Sequence, residues 1–456
     1  MMYMLRSFQR ILLVLAVAGA ANHAAAFALL GPLDATFMTP AIGYNPLGGE
    51  IAGPMNLGEG YRWNVQTIYV AFDPSFMRYF GAKGSNAIVQ ALTVLNNLPA
   101  MSKLSPDLRE FPDDTRRINF RAATLGIFDL KSTTLALMMA EMGLAAPERF
   151  MWTLRDRRPI AGSPDFQYLV IQRNFDPVTM APSAFVNDTL YYYGIQDPVF
   201  PAPNPQFADA IELPVDPVQS FTSLANAGDS IYGIQLIGGT FFTGLTRDDV
   251  GGFRYLYRKG LVNAYYENLV TNAAPGGGGA FTPVGGSNNM VNLALRSGVD
   301  KFMFKFAKND SVFGNFITFT NSNQDSYYTN SHLIKQNYRR AMTAPDIIFA
   351  AGDLGLTTAG TPVLTQRSVN LINNAALNTF SGTGPTAGPG TLSPTEVITF
   401  SKLGPSFINQ GPSSLDQANF VQFNAVWGSF DGTTNDPVVY PIGMTIQDLE
   451  QIIFAP

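Results

Sequence analysis

Cysteine is absent from all 456 residues of the chain. That excludes disulfide staples, thiolate metal sites and cysteine nucleophiles together. Histidine is nearly as scarce, with His23 and His332 the two present. A Ser-His-Asp triad or a His-bound zinc needs at least one well-placed imidazole, and most such sites need several. His332 sits in Asn-Ser-His-Leu-Ile, no G-x-S-x-G nucleophile turn accompanies it, and it reads as an ordinary surface or loop residue. Charge is sparse as well: 14% of residues are Asp, Glu, Lys or Arg, against about 25% in a common soluble domain. A surface short of ion pairs suits packing against neighbours or exposure outside cells. No basic stripe is available to neutralise phosphates, so nucleic acid is not an expected partner.

What is present begins with a leader pattern. Arg6 and Arg10 precede an apolar run over residues 11–18, and Ala24-Ala25-Ala26 forms an A-x-A-like cleavage site. The expectation is a signal peptide over residues 1–26, cut after Ala26, and a secreted, periplasmic or extracellular product. That cut removes His23. Taking Arg6 and Arg10 from 29 basic residues leaves 27 against 34 acids, a net charge of −7. The apolar run is too short to span a bilayer and no later stretch reaches spanning length, so no transmembrane segment is expected.

The stretch over residues 130–146, LKSTTLALMMAEMGLAA, organises the reading of the front half. Residues 134–144 are apolar on every face except at Glu141, the pattern of a buried helix. Ala, Leu and Met favour that helix, Asp129 or Ser132 suits its start, and Pro147 stops it. Its end, Met142-Gly143-Leu144, resembles the Leu-Gly-Leu that closes the zinc helix of matrixin-type metzincin proteases. That family's motif is H-E-x-x-H-x-x-G-x-x-H, with two His one turn apart and a Gly that turns the chain toward a third. Laid on Gly143, the ligand positions fall on Ala136, Ala140 and Ala146, and the general-base position falls on Leu137. The resemblance therefore implies the scaffold without the metal: no zinc, no other cofactor and no metalloprotease activity are expected.

Two further stretches carry the same resemblance. Residues 245–257, LTRDDVGGFRYLY, are similar to the final helix of matrixin catalytic domains, and Thr246 with Asp249 three residues on makes a sound capped start. Between Trp63 and Pro99 a strand at 67–72 and a helix at 85–98 repeat the family's opening order. The departures are a Met180-Ala181-Pro182 run far downstream of where the family's methionine turn falls, and a long stretch between Pro147 and Leu245.

The expected fold class is α+β. An extended Gly/Pro-rich arm covers residues 27–60, and a metzincin-like mixed sheet with a buried central helix and a long insertion covers 61–272. A Gly-rich linker follows at 273–289, then a mainly β, sandwich-like domain at 290–456. Strands are expected at 117–120, 166–173, 189–196, 301–306, 313–319, 346–350, 396–400 and 420–427, with a short closing helix at 446–453. Tyr191-Tyr192-Tyr193 reads either as a stacking platform for sugar rings or as aromatic filling. Asn187-Asp188-Thr189 and Asn309-Asp310-Ser311 match glycosylation acceptors. Asp431, Asn435 and Asp436 offer oxygen ligands for calcium, or make a plain turn. Two functions follow. The first is an exported non-catalytic structural or binding protein whose partner is a protein or cell-envelope surface, itself included. The second is a polysaccharide hydrolase working through a carboxylate pair, for which Asp73, Glu141 and Asp248 are available.

Overall fold

The β-branched and aromatic run Thr67–Phe72 forms a strand in the computed structural model, and much of the molecule is assembled around it. It lies second in a five-stranded sheet, with Met303–Phe306 and Ile347–Gly352 parallel on either side. Glu396–Ser401 continues the parallel order, and Thr365–Ser368 closes the edge antiparallel. The structure describes residues 26–32, 51–52, 56–57, 62–63, 65–196, 209–216, 222, 224, 237–259, 281–284, 298–309, 315–329, 332–355, 362–368, 371–373, 380–381, 384–385, 390–392, 395–409 and 420–454.

One face of this sheet is dry. Ile68, Val70, Ile347, Phe349, Ile398 and Phe400 are buried at alternate positions, as the period-two geometry of strands requires. The helix Pro74–Asn96 covers that face, with Phe76 stacked on Phe72 and Phe80 set edge-on to Phe400. It starts at Pro74, capped by Asp73, earlier than the periodicity over 85–98 suggests. Gly81 explains the difference: at φ 59 it breaks the helical track, and a Cβ there would meet Ile442 Cδ1 at 2.6 Å.

The helix Leu130–Glu141 packs against Pro74–Asn96 and is buried at every position except Lys131. Behind it, Leu144–Ala145, Phe27–Leu29 and Asn174–Phe175 form a small antiparallel sheet with Phe27–Leu29 in the middle. The residues expected to begin an arm lying over the body thus begin a central strand. Arg247–Tyr257 forms the expected capped helix. Thr189–Gln196 forms as expected, while the strand expected at 166–173 ends one residue early, as Phe166–Gln172.

The back half differs from expectation in its connections. A separate sandwich-like domain is expected, yet its strands flank Thr67–Phe72 in one mostly parallel sheet. Val426–Ser429 likewise pairs, in parallel, with Ile127–Asp129 immediately before the central helix. Within the expected linker, Phe281–Pro283 pairs with His332–Met342. Composition marks that stretch, whereas hydrogen bonding crosses it. The fold is mixed α and β, and the sheets among the described residues form no closed barrel. No helix among these residues is long and apolar enough to cross a membrane.

Candidate functional site

The central helix begins with a closed set of polar contacts. Asp129 accepts from the Ser132 backbone N–H at 2.8 Å and from its hydroxyl at 2.5 Å. The Thr133 and Thr134 hydroxyls donate to the carbonyls of Asp129 and Leu130. Beyond this turn the buried side chains are apolar up to Glu141. Burial drives the Asp129 carboxyl up to about 6, against the Ser132 hydrogen bonds. Ala136, Leu137, Ala140 and Ala146, the positions on which the matrixin resemblance lays its zinc ligands and base, are all buried. Gly143 takes φ 100 and turns the chain into Leu144–Ala145. His332 stands apart, at the start of His332–Met342 opposite Thr329. Among the described residues no group of three or more His, Asp or Glu side chains is arranged to hold a metal ion.

The helix's far end is tied down through backbone acceptors. Trp63 Nε1 donates to the Glu141 carbonyl at 2.9 Å, and the Tyr257 hydroxyl donates to the Met142 carbonyl at 2.9 Å. The Glu141 carboxylate faces Arg367, on the sheet's edge strand, at 3.4 Å. Burial raises the Glu141 pKa, and the Arg367 charge opposes that rise.

A second polar cluster lies on the capped helix. Asp249 closes a capping box, accepting from the Thr246 N–H and hydroxyl at 2.7 Å each. Burial pushes its carboxyl up to about 7, with the Thr246 bonds pulling the other way. The preceding Asp248 is also buried. It accepts from the Asn187 N–H at 2.7 Å and from the Ala26 N–H. Burial first, then the negative charges of Asp249 and Glu148, raise its pKa well above the ordinary carboxylate range. Asn187 and Asp188, at φ 44 and 65, form the two-residue turn joining Phe185–Val186 to Thr189–Gln196. Asn and Asp are the residues such a turn favours. Asp248 therefore braces a turn of the insertion and the first strand at once. Glu148 does not stand out in the sequence, and Asn187 does so only as a glycosylation match, although Asn-Asp between two strand-like runs is a readable hairpin signal.

The three acids available for a carboxylate pair sit in three separate settings. Asp73 accepts from the Ser75 N–H at 2.7 Å as a helix cap, Glu141 faces Arg367, and Asp248 belongs to the cluster just described. The oxygen groups of the candidate calcium loop are taken up by protein side chains. Asn435 donates to Asp431 at 2.7 Å, Asn119 donates to Asn435 Oδ1 at 2.9 Å, and Asp436 is paired with Arg121.

Strand alternation divides the tyrosine run. Tyr191 is buried, Tyr193 lies against Trp152 with ring centroids 4.9 Å apart, and Tyr192 points outward. Around Tyr192, across the register of Thr189–Gln196 with Asp209–Pro214, the exposed face carries Leu190, Ile211, Leu213 and Val215. Of the glycosylation matches, Asn187 is buried and donates to Thr222, while Asp310 and Ser311 lie outside the described residues. Compared with known proteins, the chain matches no family model, no curated protein and no solved structure.

Proposed function

We propose that this chain is an exported, non-catalytic structural or binding protein on a protease-like scaffold, working by contact with a protein or cell-envelope surface or with copies of itself. The observation that carries the reading is the central helix: Ala136, Leu137, Ala140 and Ala146 are buried and apolar at the four positions where the matrixin motif puts its chemistry. The outward face of Leu190, Tyr192, Ile211, Leu213 and Val215 supports the contact role, because contiguous exposed apolar side chains mark interaction surfaces. The low charge of the chain agrees with this.

The test is metal analysis of purified mature protein together with light-scattering size measurement across a concentration series. The expected outcome is no stoichiometric zinc and a mass that rises with concentration, reduced in a Tyr192→Ser/Leu213→Ser double variant. Tightly bound stoichiometric zinc would end the degenerate-scaffold reading. A strict monomer that cleaves glycans would replace it with the carboxylate hydrolase.

A further inference from the structure

The hairpin of Phe319–Thr329 and His332–Met342 pairs residue for residue along its whole length, with no break in register. Phe281–Pro283 borders it on the His332–Met342 side, so Phe319–Thr329 is the sheet's other edge among the described residues. Its root is fixed to the body. The Phe319 ring meets Tyr69 edge-on with centroids 4.8 Å apart, Asn321 Nδ2 donates to the Tyr69 hydroxyl at 2.7 Å, and Arg340 is paired with buried Asp346. An edge strand presents every second N–H and C=O outward, and proteins usually blunt such edges with charge, proline or short length. Other edges of the molecule follow that rule. Met303–Phe306 has four residues and Lys305, and Thr365–Ser368 has four and Arg367. Phe281–Pro283 ends in proline, and Asp209–Pro214 carries two acids and ends in proline. Phe319–Thr329 has eleven residues, no proline and one charge, at Asp325.

We propose that Phe319–Thr329 is a self-pairing edge, through which two copies of the chain join antiparallel about a two-fold axis at Gln324. The strand's own sequence fits this partner. With all eleven residues overlapped, Gln324 faces its own copy, Ser322 faces Ser326, and Asp325 faces Asn323, so no like charges oppose. Centring the axis one residue further on would set the two Asp325 carboxylates against each other, which fixes the register. Asn, Gln and Ser carry both donors and acceptors, so these positions can bond to their own kind. An edge already extended and anchored needs little ordering on pairing, and the joined length is about 35 Å. The two hairpins then make one continuous sheet, an isologous contact in which each copy supplies the same strand. The inference deepens the self-contact part of the proposed function and rests on that reading, but it uses none of the residues around Tyr192.

Because the chain has no cysteine, single cysteines report the pairing cleanly. The full chain carrying Gln324→Cys is expected to form a disulfide dimer under mild oxidation. Opposite residues on antiparallel strands have Cα atoms about 4.5–5.5 Å apart, within disulfide reach. Ser322→Cys and Ser326→Cys each lie about 14 Å from their own copies and are expected to cross-link at least tenfold less. An equal mixture of those two is expected to cross-link one to the other. Equal yields at all three positions, or no dimer at Gln324→Cys, would overturn the proposal. If that failure comes with a mass that still rises with concentration, self-contact survives and only the edge pairing falls. A strict monomer removes both. The Gln324→Cys cross-link is expected to persist in the Tyr192→Ser/Leu213→Ser variant, and its loss there would assign the contact to the apolar face instead. Gln324→Lys sets two ammonium groups face to face. It is expected to remove, by light scattering, the dimer remaining in that double variant while leaving the urea midpoint unchanged, and a dimer that survives the charge sinks the pairing.

Discussion

Two helices pack into the same core and solve opposite problems. Leu130–Glu141 confines its polar groups to its two ends and is apolar between them, so its worth lies in shape. Arg247–Tyr257 opens with Arg247, Asp248 and Asp249 all buried, so its worth depends on partners being in place. Removing atoms from the first leaves a hole. Changing the second, or its surroundings, leaves a charge or an orphaned hydrogen-bonding group. The molecule thus keeps its dry chemistry at helix ends, where caps and backbone donors satisfy it, and keeps the middle of its central helix inert.

The comparison breaks most sharply at Glu141, the one acid at the end of the inert helix. Arg367→Met strips its charge partner and is expected to cost about 3 kcal/mol at pH 8. The loss is expected to shrink at pH 5, because burial favours protonated Glu141. Urea denaturation at the two pH values measures both. Leu135→Ala, in the middle of the same helix, is expected to cost about 2–5 kcal/mol as a cavity, with no pH dependence. On the capped helix, Thr246→Ala removes one half of the capping box and is expected to cost about 1 kcal/mol by the same measurement.

The last effect is a slope. The Asp249 carboxyl sits at about 7 in the fold, above its ordinary value, so between roughly pH 4 and 7 the fold holds a proton the open chain has lost. Stability from this group is therefore fully present at low pH and is lost as pH rises toward 7. The slope approaches about 1.4 kcal/mol per pH unit at most. Asp249→Asn is expected to flatten that part of the stability profile, and an unchanged profile would contradict the assignment.

Local features were legible in the sequence because they are set by neighbours in the chain. The Asp129 cap, the Thr246–Asp249 box and the strand at Thr67–Phe72 all follow from residues a few positions apart. Connections were not legible. The parallel pairing of Thr67–Phe72 with Met303–Phe306 and Ile347–Gly352 leaves no mark on periodicity, since a buried parallel strand and a sandwich strand share one apolar alphabet. The long hairpin of Phe319–Thr329 and His332–Met342 was missed for a different reason. Its Asn-, Gln- and Ser-rich first strand has weak strand propensity, and pairing along its whole length supplies the order. At the candidate site, the burial of Ala136, Leu137 and Ala140 follows from the apolar run in which they lie. The Asp248 cluster was not legible, because Asn187, Glu148 and Ala26 meet it only through tertiary packing.

The placement of Thr67–Phe72 also sets a timetable. The strand is synthesised early, yet both of its neighbours in the five-stranded sheet come from the far half of the chain. Long-range pairing of this kind is slow to close. The five-stranded sheet therefore cannot close around Thr67–Phe72 until three quarters of the chain has been made, so its first strand waits longest for its partners.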